Sequence, residues 1–121
     1  MALTYPSTVR CNHALRLRPL RTFRVVDESM RPALDPGDGL VALRGGRLRR
    51  GQLRVFRDPR KSSRWLIKRV GDVYGRGRGA IFEARSDNSR AAGAADSHEF
   101  GWVPAAGSYR VVWTVKTKIA P

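Results

Sequence analysis

Cysteine, histidine and acidic residues are scarce in the sequence, and each scarcity argues against a particular kind of bond, site or partner. The single cysteine, Cys11, cannot form an internal disulfide. The two histidines, His13 and His98, are far apart and have no companions at metal-ligand spacing, so we expect no metal site and no cofactor. Only 10 acidic residues stand against 24 basic ones, and the resulting net charge of +14 favours acidic partners such as nucleic acid or anionic lipid headgroups.

A long apolar run is also missing. Arginines 10, 16, 18, 21 and 24 interrupt every apolar stretch in the first part of the chain, and none approaches the ~20 apolar residues of a membrane-spanning helix. We therefore expect a cytoplasmic protein without an anchor of its own, whose basic side chains are compatible with peripheral contact with an anionic membrane.

The 121 residues, 41% of them hydrophobic, suffice for one small domain and are too few for two. Residues 1–22 contain arginine and hydroxyl side chains but no acid. This composition favours a basic, disordered N-terminal tail, with an organelle transit segment as the alternative. The folded domain is then expected to span residues 23–121.

Short strand-like segments fill that domain, and no stretch shows helical periodicity. The glycines of residues 44–51 predict a hairpin connection, and those of residues 75–79 predict a hairpin tip. The last segment, rich in β-branched and aromatic residues, is expected at the centre of a sheet. The fold class predicted is mostly β, a small antiparallel curled sheet or open barrel, with strands near residues 23–26, 39–43, 53–56, 65–70, 80–84 and 109–115.

Ser29 and Lys68 are the candidate catalytic pair. Ser29 follows a short apolar run and precedes a segment held by Pro32, Pro36 and Gly37, so its hydroxyl is expected on a constrained turn. Lys68 lies in a strand-like run in which a period of two puts it on an apolar face. Burial can lower a lysine pKa by several units from ~10.4, which would make Lys68 a base able to deprotonate Ser29.

Four blocks of sequence carry a resemblance that supports this pair. They are Ser29-Met30-x-Pro32-x-Leu34-x-x-Gly37-Asp38, then Lys68-Arg69-Val70, then Ser86-Asp87-Asn88, and then Asp96-Ser97 with Phe100-Gly101-x-Val103-Pro104. In order and rough spacing the chain resembles the type I signal peptidase family of serine–lysine endopeptidases. It is similar to the short members without a membrane anchor, such as those that trim the leader of nickel-containing superoxide dismutase.

The resemblance implies a serine endopeptidase that removes a leader or signal segment from a protein substrate. The family cleaves after small residues in an extended peptide, on a curled β fold of the signal peptidase catalytic-core type. The resemblance assigns catalysis to Ser29 and Lys68, and oxyanion or supporting roles to Met30, Asp87, Asn88, Asp96 and Ser97.

The chain departs from the family pattern at four positions. Two residues before the nucleophile the family often has serine or glycine, and such a serine can donate to the oxyanion; here the residue is Asp27. We expect its carboxylate to face away from the oxyanion site, which leaves the Ser29 backbone N–H as the donor. Ser86 replaces a glycine, His98 a common arginine, and Ala94 a serine that orients the lysine in some relatives.

Alternative functions remain open from the sequence. A nucleic-acid-binding β module is suggested by the arginines and by four aromatic residues that could stack on bases, although their apolar context favours the core, and no specific nucleic acid is expected. A catalytically impaired relative of the family is a further alternative. A self-cleaving repressor domain would need a DNA-binding module before the serine, where only 28 residues stand. The four aromatic residues are Phe56, Trp65, Trp102 and Trp113.

Overall fold

The short apolar segments of the sequence become strands of one antiparallel sheet. The computed structural model describes residues 20–88, 90 and 97–116, and the backbone of residues 2–4. These residues contain a 3₁₀ turn at Gly77–Gly79, a single helical turn α1 (Ser97–Phe100), and the strands β1 (Ala2–Thr4), β2 (Leu20–Val25), β3 (Gly39–Arg44), β4 (Leu53–Asp58), β5 (Lys61–Tyr74), β6 (Ile81–Arg85), β7 (Val103–Pro104) and β8 (Tyr109–Val115).

The strands follow the order β1-β2-β3-β8-β4-β5-β6-β7. The sheet curls so strongly that β1 pairs with β2 along one edge and with β5 along the other. All of these pairings are antiparallel. The prediction of a mostly β, antiparallel curled sheet is confirmed.

The long strand β5 is the centre of the fold because it pairs with β4 on one side and β6 on the other. Successive side chains of a strand point to opposite faces, and both faces of β5 are covered. Trp65 and Ile67 enter one buried cluster, while Leu66 and Val70 enter another. The first cluster is built around Phe23, Val25, Met30, Leu34, Leu40, Val55 and Tyr109; the second contains Phe56, Phe82, Ala84 and Val103.

The predicted hairpin over residues 44–51 is wrong. Strand β8 lies between β3 and β4, so the two strands that this linker joins are not neighbours in the sheet. Gly45 and Gly46 do adopt positive φ angles, 75° and 80°, but they direct the chain past β8 instead of closing a tight turn. The hairpin tip at residues 75–79 is present, since β5 pairs with β6 directly across it.

The predicted tail of residues 1–22 differs from the structure at both ends. Residues 2–4 form β1, and β2 begins at Leu20, before the expected boundary at residue 23. β2 starts earlier because its pairing with β3 already includes Leu20 and Arg21, and the Arg21 guanidinium lies 5.7 Å from the ring of Trp65 and 5.6 Å from that of Tyr109. Residues 5–19, with Cys11 and His13, lie outside the described residues.

The four aromatic residues considered for base stacking divide into two pairs. Phe56 and Trp65 are buried, as expected of core residues, whereas Trp102 and Trp113 are 43% and 65% exposed. Trp102 packs against Tyr74, with 4.8 Å between ring centroids. Within the described part of the chain, no helix has the length and apolar character needed to span a bilayer.

Candidate active site

Ser29 lies in a tight excursion of the chain between β2 and β3. The Val25 N–H donates to the Asp38 carbonyl (2.9 Å) and the Gly37 N–H to the Val25 carbonyl (2.7 Å), so the ends of the excursion are joined. Gly37 has a φ of 96°, a conformation that favours glycine and lets the chain turn back. The apolar side chain of Met30 is anchored in the first core cluster. The backbone around Ser29 is therefore held by hydrogen bonds at both ends and by the buried side chain of Met30.

Asp38 and Lys116 fasten the same excursion to the end of β8. The Asp38 side chain is fully buried, accepts the Asp35 N–H (2.9 Å) and forms an ion pair with Lys116. The hydrogen bond to Asp38, reinforced by its charge, raises the pKa of Lys116 above its ordinary value, so Lys116 stays protonated across the neutral range. The ion pair between Asp38 and Lys116 thus joins the turn that contains Ser29 to the end of β8.

Lys68 meets Ser29 in the interior. Its Nζ lies 3.2 Å from Ser29 Oγ and 2.8 Å from Ser86 Oγ, and both Lys68 and Ser29 have no exposed surface. Lys68 is not an edge-strand residue that extends to water, because β5 is flanked on both sides. A buried amine between two hydroxyl groups is the arrangement that a serine nucleophile with a lysine base requires.

The neighbouring strands place further positive charge beside Lys68. The strand registers pair Arg54 with Lys68 across β4 and β5, and Arg54 with Arg110 across β4 and β8. Directly paired residues of antiparallel strands share a face, with Cβ atoms ~5 Å apart. Burial, with a smaller contribution from Arg110, lowers the pKa of Arg54 to about 10. Three basic residues therefore follow one another in a row across the sheet.

The block Ser86-Asp87-Asn88 packs directly against the Ser29 turn. The Asn88 N–H donates to the Ser29 carbonyl (2.6 Å), and Asn88 Nδ2 donates to the Glu28 carbonyl (3.1 Å). Asp87 is held by two hydrogen bonds from Arg69, Nε–Oδ1 at 3.0 Å and Nη2–Oδ2 at 2.7 Å. The hydrogen bond to Asp87 raises the pKa of Arg69. Asp87 and Asn88 thus fix the position of the turn that contains Ser29 relative to β5.

Asp27 is where the structure overturns an expectation. Its Oδ1 accepts the Ser29 backbone N–H at 3.1 Å, forming an Asx turn. The side chain therefore does not face away from the predicted oxyanion donor, as the sequence reasoning held, but already occupies it. The expectation assumed that the turn carries Asp27 away from Ser29, but an aspartate in a turn readily accepts the amide two residues ahead.

The remaining predicted residues have supporting positions. Met30 is buried, and its sulfur accepts the Asp87 N–H at 3.4 Å. Ser97 lies away from the pair: its Oγ accepts the Ala84 N–H (2.7 Å) and joins α1 to β6. Asp96 lies outside the described residues, as does Ala94.

Ser86 is the residue that sequence reasoning did not assign to the site. It belongs to the Ser86-Asp87-Asn88 block of the resemblance and departs there from glycine, and its Oγ has the shorter of the two hydroxyl distances to Lys68 Nζ. Two departures from the family pattern, a serine gained at residue 86 and a serine missing at residue 94, could together have predicted a hydroxyl beside Lys68 at residue 86. A hydroxyl beside the lysine is present here, but it comes from the end of β6.

The described residues contain no cluster of three or more histidine, cysteine or acidic side chains placed to hold a metal ion. Comparison with known proteins returned no match to a protein family, to a characterised protein or to a solved structure.

Proposed function

We propose that this protein is a serine endopeptidase in which Ser29 is the nucleophile and Lys68 the general base. The observation that carries the proposal is the buried 3.2 Å contact between Lys68 Nζ and Ser29 Oγ. Loss of hydration disfavours an ammonium relative to a neutral amine, and a like charge on a neighbouring strand acts in the same direction. The proposed role requires Lys68 to react in its neutral form.

The proposed reaction follows from that pair. Neutral Lys68 takes the proton of the Ser29 hydroxyl as Ser29 Oγ attacks the carbonyl carbon of a peptide bond. The resulting ammonium gives the proton to the leaving amine nitrogen as the C–N bond breaks, which leaves an acyl group on Ser29. Lys68 next deprotonates a water, which attacks the acyl carbon and releases the new carboxyl end. The proton returns to Ser29 Oγ, which restores the starting state.

Ser86 acts in this proposal as a positioning residue. A neutral amine has one lone pair and two N–H groups, so Lys68 can accept the Ser29 proton only if its lone pair faces Ser29. An N–H donated to Ser86 Oγ, at 2.8 Å, keeps the amine in that orientation. Replacement by threonine should retain activity because the hydroxyl remains, whereas replacement by alanine should not.

The Asp27 contact favours a second candidate, a catalytically impaired relative of the peptidases that the sequence resembles. In the structure the Ser29 N–H donates to a carboxylate instead of being free for an oxyanion. Catalysis requires that this bond open first, and a protein in which it never opens would bind a peptide without cleaving it. The two candidates differ in whether Asp27 slows acylation or prevents it.

Substrate access requires a local movement. Ser29 and Lys68 are completely buried, so a peptide carbonyl can approach Ser29 Oγ only after the residues that cover it move, and we propose that the turn around Asp27 and Glu28 moves from the Asn88 segment. The hydrogen bond from Asn88 Nδ2 to the Glu28 carbonyl is exposed and is the contact most readily exchanged for water. An extended protein segment with a small residue before the cut is the substrate class that we propose.

The test is cleavage of a library of extended peptides. We expect cleavage after small residues by the wild-type protein, complete loss in Ser29→Ala, and a fall of about 10²- to 10⁴-fold in Lys68→Ala, the usual contribution of a general base. A matched control is Lys61→Ala, which removes an exposed lysine of the same strand. Undiminished cleavage by Ser29→Ala or Lys68→Ala would show that the pair is not catalytic. Peptide binding without cleavage by any form of the protein would favour the impaired relative.

A further inference from the structure

A second concave region lies apart from Ser29 and is lined by arginine. It is a cleft of about 1090 Å³ between the β3–β4 linker, the β5–β6 hairpin tip and the loop before β8. Five arginines and no carboxylate line it, together with glycines of all three segments. The lining arginines are Arg44, Arg47, Arg54, Arg76 and Arg78.

The five cleft arginines share a lack of carboxylate partners among the described residues. Outside the cleft, six arginines form ion pairs with carboxylates: Arg31, Arg50, Arg60, Arg64, Arg69 and Arg85. Among the described residues, by contrast, no carboxylate forms an ion pair with any of the five cleft arginines.

Arg54 shows that positive charge is built into the wall of the cleft. Its side chain is fully buried and its guanidinium donates only to neutral groups: Ser108 Oγ at 2.9 Å, Gln52 Oε1 at 3.2 Å, and the carbonyls of Gly45 and Gly46. These bonds fix the glycine loop in place. They do not neutralise the charge, and burying an uncompensated charge is costly.

Arg110 adds a second charge behind the same loop. Its Nε is buried and has no hydrogen-bond partner, and a Cβ on Gly46 would lie 3.5 Å from that nitrogen. Arg54 and Arg110 are direct neighbours across β4 and β8, where like charges repel. A bound anion would offset this repulsion.

The shape and lining of the cleft indicate what kind of anion fits. Planar guanidinium groups match the oxygens of a phosphate group, to which each can donate two parallel hydrogen bonds. The lining contains no aromatic side chain on which a base could stack, and exposed Trp102 and Trp113 are not part of it. The lack of an aromatic platform favours a phosphorylated group over a single-stranded nucleic acid.

We infer that this arginine cleft is a phosphate-binding site. Its ligand is the phosphate of an anionic phospholipid headgroup or of a free phosphorylated small molecule, held by the exposed guanidinium groups over the buried Arg54. Neither Ser29 nor Lys68 lines the cleft, and of its lining residues Arg54 alone is paired with Lys68, across β4 and β5. Phosphate binding should therefore survive the Ser29→Ala change.

The test compares two double variants of the full chain that remove the same charge. Arg76→Gln/Arg78→Gln alters the cleft, and Arg49→Gln/Arg90→Gln alters exposed arginines outside it. Binding is measured with inorganic pyrophosphate by calorimetry and with phosphatidylglycerol–phosphatidylcholine vesicles by sedimentation. We expect the cleft variant to bind at least about tenfold more weakly than wild type, since the loss of each charged contact amounts to about that factor. The control variant should lose no more than about twofold.

The two probes separate the two sources of phosphate. Cleft-dependent binding to the vesicles identifies a lipid headgroup, and cleft-dependent binding to pyrophosphate without vesicle binding identifies a free phosphorylated molecule. Equal weakening in both double variants would overturn the inference, because it would reflect net charge alone. Absence of binding to both probes would also overturn it, as would cleft-dependent binding of a single-stranded oligonucleotide only, which would make the surface a nucleic-acid site. Arg44→Gln/Arg47→Gln, on another loop, repeats the comparison if the hairpin-tip variant fails to fold.

Discussion

Replacing Asp27 tests how the turn that contains Ser29 affects the rate at which Ser29 is acylated. In the structure the Asp27 carboxylate accepts the Ser29 N–H, the donor that would otherwise stabilise an oxyanion. Removing one oxyanion donor from a hydrolase costs about 10²- to 10³-fold in rate, or about 3–4 kcal/mol. A carboxylate ~4 Å from a developing oxyanion adds repulsion of similar size at an effective dielectric constant of ~20. Because the Asp27 side chain can rotate away, we expect the replacement to recover only part of these two combined effects on the rate.

Asp27→Ser should therefore raise the rate of acylation by about 10²-fold, since it removes the charge and supplies a hydroxyl donor. Asp27→Asn should give a smaller gain, because its Oδ1 can still accept the Ser29 N–H. The assay is single-turnover acylation of Ser29 by a p-nitrophenyl ester, followed by intact-mass measurement. Glu28→Gln is the matched control, since it removes the adjacent exposed charge without touching the Ser29 amide.

The reasoning is refuted if Asp27→Ser folds normally and acylates at the wild-type rate. Thermal unfolding supplies the folding check, because the lost Asx-turn hydrogen bond should cost only about 1 kcal/mol. If Asp27→Ser unfolds outright, Asp27 is structural and the block on the oxyanion donor is incidental.

Three further predictions concern the site and the fold. Ser86→Ala should lower acylation about tenfold or more while Ser86→Thr stays near wild type, and equal rates for both would show that Ser86 does not orient Lys68. The acylation rate should rise with pH until Lys68 is neutral, and a rate that falls over the same range would contradict a lysine base. For the buried Asp58, desolvation alone would raise the pKa, but the hydrogen bonds and charges of Arg60 and Arg64 outweigh it and lower the pKa below 3.8. The ionised Asp58 therefore stabilises the fold above pH ~4, and this stabilisation is lost as the pH falls through the folded-state pKa. Asp58→Asn should lower the free energy of unfolding by about 2 kcal/mol at neutral pH and by much less in acid. Denaturant unfolding that shows the same loss at both pH values would contradict this.

Local pattern was enough to predict the strands, whereas the 3.2 Å contact between Ser29 and Lys68 was expected from the pattern around each residue together with the family resemblance. Alternating apolar residues placed Lys68 on a covered face, and the prolines and glycine after Ser29 identified a turn. The pairing of strands was less accessible. The glycines at residues 45 and 46 indicated a turn correctly, but only the insertion of β8, from the far end of the chain, decides that β3 and β4 are separated.

Two errors at the site have the same physical origin. The expectation for Asp27 assumed that a turn at Ser29 breaks the strand alternation and carries the carboxylate away, whereas the Asx turn brings that carboxylate back to the Ser29 N–H. Ser86 was treated as a departure from a pattern because its proximity to Lys68 depends on the pairing of β5 with β6. Contacts between residues 18 positions apart follow from register, which composition and periodicity do not specify.

The most direct measurement of the central claim is the location of an acyl group after brief treatment with a p-nitrophenyl ester. Peptide mapping by mass spectrometry should find the acyl group on Ser29 in the wild-type protein and in Lys61→Ala. It should be absent from Ser29→Ala and formed at least about 10²-fold more slowly in Lys68→Ala. An acyl group that forms on Ser29 equally fast without Lys68, or that forms only on other residues, would contradict a Ser29–Lys68 catalytic pair.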